Sequence, residues 1–243
     1  MIFRFRSLAG WGIVIGLTLT LGMASAARGD TFDAFADFSA TQNPNGVWSY
    51  GQTPSLGGSF SPLKAGSCPP GPLTGWNNSG MPDSSGSPPF IFKGIGGCGT
   101  GTPPSGQLDL HPGSIGQYAD VRWTSPSAGS LAVTATFQGI DPTAGGTDVH
   151  VLKNGVLLFS AQITGFGVPT SFTYPGGTVV AGSTLDFVVG VGSDGNFLFD
   201  STGFNAHISF QPLAGVPEPG SLVLVGSCLV GLAGLTWRRH RRK

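Results

Sequence analysis

Period-two alternation constrains this chain more than any other feature. From Leu131 to Gln138, Leu131, Val133, Ala135 and Phe137 fall on one side, and Thr134, Thr136 and Gln138 fall on the other. Side chains repeat every second residue only on a strand, so the row needs a sheet with one buried and one wet face. Tyr118 to Thr124 repeats the pattern, with Ala119, Val121 and Trp123 inward and Tyr118, Asp120, Arg122 and Thr124 outward. Leu185, Phe187, Val189 and Val191 make a third inward row. Asp148–Lys153 and Val156–Ala161 flank Asn154-Gly155, a two-residue hairpin signal because both turn positions need φ > 0. Val47-Trp48-Ser49-Tyr50 follows an Asn-Pro-Asn-Gly turn and predicts a strand, and Phe197–Asp200 and Phe204–Phe210 close the domain. Thr31–Ser39 has a mixed period that suits a strand or a short helix. With 41 Gly and 19 Pro, turns are plentiful and helix formers scarce. The fold class expected is mainly β: an antiparallel β-sandwich, jelly-roll-like, over residues 27–211.

The two ends read differently. Arg4 and Arg6, the apolar run Ala9–Leu21 and Ala24-Ser25-Ala26 have the order of a secretory signal peptide, so residues 1–26 are expected to be a signal helix, removed after export. The Sec machinery and signal peptidase are the partners this implies. At the other end, residues 212–215 form a linker and residues 216–243 a distinct segment. Gly220–Trp237 carries no ionisable side chain apart from the Cys228 thiol, and eighteen helical residues span roughly 27 Å, near bilayer thickness. A C-terminal transmembrane helix is expected there. Arg238, Arg239, Arg241, Arg242 and Lys243 hold its far end on the cytoplasmic side. Pro217 and Pro219 keep the helix from extending backwards and leave Glu218 on extended chain.

Pro217-Glu218-Pro219, the short apolar span and the basic end together resemble the PEP-CTERM sorting signal of Gram-negative bacteria. That segment is also known as an ice-binding-protein C-terminal domain, though ice binding favours flat rows of Thr, and Thr134-Ala135-Thr136 alone does not supply them. The resemblance implies recognition by an exosortase, a membrane cysteine protease that cuts near Pro-Glu-Pro, and delivery to the cell surface or an extracellular polysaccharide matrix. The stretches Leu110–Gly113, Gln117–Trp123 and Thr147–Gly155 resemble ectodomains found with such tails. They also resemble, loosely, non-catalytic jelly-roll modules, some of which bind carbohydrate.

Export decides how the cysteines are read. Cys68 and Cys98 are the two outside the expected membrane span, and in an oxidising compartment they are expected to bond to each other. Closing about 30 residues would stabilise by roughly 3–4 kcal/mol. The surrounding 62–104 stretch is crowded with Pro, Gly and Ser and reads as a disulfide loop, with Phe90-Ile91-Phe92 its one strand-like run. Two cysteines with no paired His are too few for zinc. Between the terminal segments Arg28, Lys64, Lys93, Arg122 and Lys153 face eleven Asp, leaving a net charge of −6. An acidic, lysine-poor exterior argues against a nucleic-acid partner.

No catalytic constellation stands out. Gly94–Gly99 spells G-x-G-x-x-G, but Thr-Gly-Thr-Pro-Pro cannot begin the helix that a dinucleotide needs. Glu218 is the single glutamate, so a glycosidase would need two facing Asp, and none are evident. Asp109-x-His111 and Asp148-x-His150 each put a carboxylate and an imidazole on one strand face and, with His207, offer acid–base or metal chemistry. An outward polar face explains them as well. Asp194, Asn196 and Asp200 offer oxygen ligands of the kind calcium takes, but not at EF-hand spacing, and Asp/Asn-Gly turns are routine at hairpins. No metal or cofactor is assigned. Trp76, Trp48 and Tyr50 are the candidate sugar-stacking residues, with Trp76 best placed for exposure; Trp123 reads as core. The function expected is a non-enzymatic surface or matrix protein, binding polysaccharide or serving as structure. The alternative is a secreted glycan-active or metal-dependent hydrolase.

Overall fold

The computed structural model describes residues 28–68, 73–77, 87, 89–94, 101–143, 145–213 and 228–229. The expected signal helix and almost all of the expected tail helix lie outside these residues. So does Cys98, and of Cys68 only the backbone is described, so the expected disulfide lies outside them too. Among the described residues no helix is long and apolar enough to cross a membrane.

Fourteen strands are described: β1 (Asp30–Asp33), β2 (Trp48–Thr53), β3 (Ser61–Pro62), β4 (Ala65–Cys68), β5 (Leu73–Trp76), β6 (Phe90–Lys93), β7 (Leu108–His111), β8 (Tyr118–Thr124), β9 (Gly129–Gly139), β10 (Thr147–Lys153), β11 (Val156–Ile163), β12 (Pro169–Val179), β13 (Thr184–Gly190) and β14 (Thr202–Pro212). They form two sheets. The larger runs β12-β9-β14-β7-β6-β5-β4, with β1 also paired to β14; the smaller runs β11-β10-β13-β8-β2-β3. Every strand pairing described is antiparallel.

The alternating rows do what their period demands. Leu131, Val133, Ala135 and Phe137 of β9 and Phe204, Ala206, Ile208 and Phe210 of β14 meet Ala119, Val121 and Trp123 of β8 and Leu185, Phe187 and Val189 of β13 in one core. Ring pairs stitch the sheets across it: Phe187 to Phe204 at 5.2 Å and Trp123 to Phe210 at 5.9 Å between centroids. This is a β-sandwich, and burial of these rows supplies its main driving force. Thr31–Ser39 resolves as β1 followed by a turn in which Asp33 Oδ1 accepts from the Phe35 and Ala36 N–H groups, both at 2.9 Å.

Three expectations need correction. The 62–104 stretch is not a loop with one strand-like run: β4, β5 and β6 continue the larger sheet, with Ala65 opposite Trp76 and Trp76 opposite Ile91. Phe197–Asp200 is irregular, with Phe199 at φ 69°, so β13 passes to β14 through a long loop. Between β11 and β14 the edge strand β12 was not expected, because Pro175-Gly176-Gly177 has the composition of a turn. Here it makes a bulge, where pairing with β9 slips between Tyr174 and Gly177.

Candidate functional site

The connections place chemistry at one end of the sandwich. β7, β9, β11 and β13 finish where β8, β10, β12 and β14 begin, so loops 112–117, 140–146, 164–168 and 191–201 gather there. The last strand, β14, starts at this end and finishes at the other, where Leu213 N–H bonds to Ala128 O at 2.9 Å. The loop end therefore lies opposite the end at which β14 finishes. It presents Ile115, Phe166, Val168, Leu198 and Phe199 to solvent, with Phe166 51% and Phe199 43% exposed.

Carboxylates gather at the same end: Asp148 at the start of β10, and Asp194 and Asp200 in loop 191–201. Asp148 and His150 of β10 point outward from the smaller sheet and meet: His150 Nε2 is 2.7 Å from Asp148 Oδ2. The Tyr118 hydroxyl donates to the same oxygen at 3.3 Å, and the Gly192 N–H to Asp148 Oδ1 at 2.8 Å. Burial alone would raise the Asp148 pKa, but the bonds from His150 and Gly192 outweigh it and hold the carboxyl below its usual range. Asp109 and His111 occupy the outer face of the larger sheet, on the opposite side of the molecule. That face is covered rather than wet: Asp109 is fully buried, and the His111 ring stacks on Phe90 at 4.8 Å. His207 sits apart on β14 against Asp33, 3.1 Å away. The three histidines are not brought together, and among the described residues no group of three or more His, Cys, Asp or Glu could hold a metal through side chains alone.

Asp200, at the end of the β13–β14 loop, is fully buried, and no well-formed hydrogen bond reaches either carboxylate oxygen, the Thr147 side chain being its hydrogen-bonding neighbour. Burial first, then Asp194, and to a smaller extent Asp148 and Asp141, push its pKa up to about 8, with Thr147 offsetting part of the rise. A second acid pair lies on the outer face of the smaller sheet. Asp186 is ion-paired to Arg122 Nε, whose guanidinium lies 4.2 Å from the Phe60 ring centroid. Burial and Asp186 hold the neighbouring Asp120 well above the carboxylate range, with Arg122 opposing. The cavity between them holds about 30 Å³, room for about one water and too small for a sugar ring. A shallow groove of about 360 Å³, lined by Thr31, Ser130, Ala132, Pro175 and Ser209 among others, lies at the tail end. It contains no acid–base pair. Nothing in these arrangements supports a hydrolase.

The structure moves the expected sugar-stacking residues inside. Trp48, Tyr50 and Trp76 are 1%, 0% and 4% exposed. Trp76 stacks on Tyr50 with centroids 5.9 Å apart and planes 7° from parallel, and its indole N–H donates to Ser39 O at 2.8 Å. Trp48 donates to Asp37 Oδ2 at 3.2 Å, and burial pushes the Tyr50 hydroxyl up to about 12. Rings bonded in this way are core residues and have no face free for a ligand. Trp123, expected in the core, is there. Among the described residues, the exposed phenyl rings are instead Phe166 and Phe199, in loops whose residues carry no periodic signal.

Residues 215–242 match the PEP-CTERM protein-sorting motif, so the chain carries that motif over Pro217, Glu218 and Pro219, the apolar run, and Arg238, Arg239, Arg241 and Arg242. No curated protein matches the chain. Among solved structures it is similar to a family 35 carbohydrate binding module from Clostridium thermocellum, at 14% identity over 49% of this chain and 86% of that one, with a TM-score of 0.31. It is also similar to the C-terminal CBM6 of LamC, a marine laminarinase from Zobellia galactanivorans, at 13% over 45% and 86%, TM-score 0.28. A third likeness is to the GH26-CBM35 β-(1,4)-mannanase of Podospora anserina, at 12% over 52% and 25%, TM-score 0.30.

Proposed function

We propose that this is an exported protein, sorted through its C-terminal segment to the bacterial surface or the polysaccharide matrix, where the sandwich acts without catalysis as a glycan-binding or structural component. The motif at residues 215–242 carries this reading. On it, the Sec machinery exports the chain, signal peptidase removes residues 1–26, and the segment from 216 holds the protein in the membrane until an exosortase cuts near Pro217-Glu218-Pro219. The sandwich occupies residues 27–211, and Cys68 and Cys98 pair after export. The loop end, facing away from the membrane, offers Phe166 and Phe199 as apolar faces for the C–H side of a sugar, with acidic oxygens nearby to accept its hydroxyls.

Sedimentation of the mature protein with exopolysaccharide from the producing cells tests the glycan reading. Wild type is expected in the pellet. The F166A/F199A double variant is expected to bind at least tenfold more weakly with an unchanged melting temperature, because both side chains are exposed. Wild-type protein that stays in the supernatant would remove glycan binding from the proposal.

A further inference from the structure

Three strands of the larger sheet end side by side at the tail end. Val179 of β12 pairs with Gly129 of β9, and Gly129 pairs with Pro212 of β14. Neighbouring strands lie about 4.8 Å apart, so Val179 and Pro212 are about 10 Å apart, and Val180 and Leu213 leave the sheet together. Main-chain bonds hold both: Val180 O accepts from the Ser183 N–H at 3.0 Å, and the Leu213 N–H donates to Ala128 O at 2.9 Å. The β10–β11 hairpin joins the same rim. Its Asn154 N–H donates to Thr184 O at 3.0 Å, and Lys153 Nζ donates to Thr178 O at 2.7 Å. Ordered backbone therefore presents aliphatic side chains to solvent here: Val180 is 67% exposed, and Val156 and Leu213 are each 66% exposed.

Charge distinguishes this rim from the loop end, which is also apolar. Loops 112–117, 140–146, 164–168 and 191–201 hold Asp141, Asp194 and Asp200 and no lysine or arginine. The tail-end connections 125–128, 154–155 and 180–183 hold no acid. A cation stands on either side of the rim. Lys153 precedes the hairpin turn, and Arg28 lies two residues before Asp30, which pairs with Phe210 near the end of β14. Asp30 offsets part of the Arg28 charge. Aliphatic side chains flanked by basic ones suit the boundary between phospholipid headgroups and acyl chains.

We propose that, before the sorting cut, this rim rests on the phospholipid surface of the membrane, with Val156, Val180 and Leu213 at the headgroup boundary and Arg28 and Lys153 facing lipid phosphates. The inference rests on the reading that the run from Gly220 sits in that membrane. Chain length then favours the contact. Six residues, Ala214 to Pro219, join Leu213 to Gly220, and extended chain of that length reaches at most about 25 Å. The eleven residues of β14 carry the loop end about 36 Å away, so the tether is too short to invert the sandwich and set its loop end on the same membrane. Three aliphatic side chains and two cations bind a bilayer weakly by themselves. A short tether holds them at an effective concentration of about millimolar, which makes the contact persist in the uncut chain and lapse on cleavage.

The test uses the uncut chain, without residues 1–26, in vesicles of phosphatidylethanolamine and phosphatidylglycerol containing a lipid with a photoreactive diazirine in its acyl chain. Peptide mapping then locates the label. Label within 220–237 reports the tail reading, and label at Val156, Val180 and Leu213 reports the rim. Both are expected, with none at Ile115, Phe166 or Phe199. Combining Val180→Asp with Leu213→Asp, both on exposed side chains, is expected to cut rim labelling at least tenfold and leave the 220–237 label unchanged. The wild-type pattern alone decides if that variant does not fold. Label in 220–237 with an unlabelled rim, equal label at the two ends of the sandwich, or rim labelling unchanged in a folded double variant would overturn the proposal while the tail reading stands. An unlabelled rim together with a dimeric mass in detergent would give the face to a second copy instead. Absence of label from 220–237 would remove the tail reading, and this inference with it.

Discussion

Asp109 and His111 sit two residues apart on β7 and respond to burial in opposite senses. Burial first, then Asp141, raise the Asp109 carboxyl to about 7, with Ser201 opposing; burial lowers the His111 imidazole to about 4, against Pro112 O and Asp141. The signs follow from which state holds the proton. Native Asp109 keeps its proton while the unfolded chain loses it above about pH 4, so its contribution falls as pH rises from about 4 to 7. Native His111 stays neutral while the unfolded chain gains a proton below about 6.5, so its contribution falls as pH drops from about 6.5 to 4. Between these limits the two slopes oppose each other. Asp109→Asn removes one of them. Relative to wild type, the unfolding free energy of the variant should then gain on the order of 3 kcal/mol from pH 4 to 6.5, whatever slope the other buried acids, Asp120 and Asp200, give both proteins. Urea midpoints at pH 4.5, 5.5 and 6.5 measure this; parallel profiles for the two proteins would mean that Asp109 is ionised in the native state.

At the scale of elements, the β10–β11 hairpin gives the cleanest test of local coding. Asn154 and Gly155 have φ of 51° and 77°, and Asn154 Oδ1 accepts from the Thr184 N–H at 2.8 Å. A Cβ on Gly155 would meet nothing within 4 Å, so Gly155→Ala probes only the backbone. The expected loss is about 1–2 kcal/mol in urea unfolding, with the two-state slope unchanged. An unaltered midpoint would contradict the left-handed turn. The same hairpin shows what the sequence makes legible: where strand period and turn chemistry are both local, as in β8, β9, β10, β11 and β13, the element can be read from its residues. Where pairing partners lend the order, it cannot. Ala65–Cys68 and Leu73–Trp76 are too rich in Gly and Ser to announce strands, and they form because β6 offers an edge. In β12 a bulge at Pro175-Gly176-Gly177 imitates a turn. The aromatic residues fail for a related reason. Trp76 in a Gly-rich stretch has the composition of an exposed platform, and only the distant Ser39 carbonyl and the Tyr50 ring put it inside. Likewise Asp200 is visible in sequence as a turn acid, but the close approach of Gly145, 55 positions away, appears only when the two loops meet.

For the whole molecule, the direction of β14 relates the two ends. Eleven residues at about 3.3 Å each carry the chain roughly 36 Å from the loop end to the tail end. Pro217 follows Pro212 by five residues, so the sorting segment begins close, in sequence, to the end of the sandwich that lacks the acid cluster. Sorting and loop-end chemistry should therefore be separable, because no packed element of the sandwich contains residues from both. Glu218 is the position at which to divide them. As the single glutamate, flanked by Pro217 and Pro219 inside the matched motif, it is the one acidic side chain that the proposed protease would meet there. Glu218→Ala is expected to leave the uncut species in the membrane fraction, heavier than the mature wild type by the retained C-terminal segment. The melting temperature of its detergent-solubilised sandwich should match wild type within about a degree, since the substitution removes no contact within β1–β14. Intact mass and fractionation of both proteins decide the matter. If E218A is trimmed and released like wild type, the protease reads something other than the acid between the prolines. If instead the sandwich melts early, the tail and the fold are coupled and the separation fails.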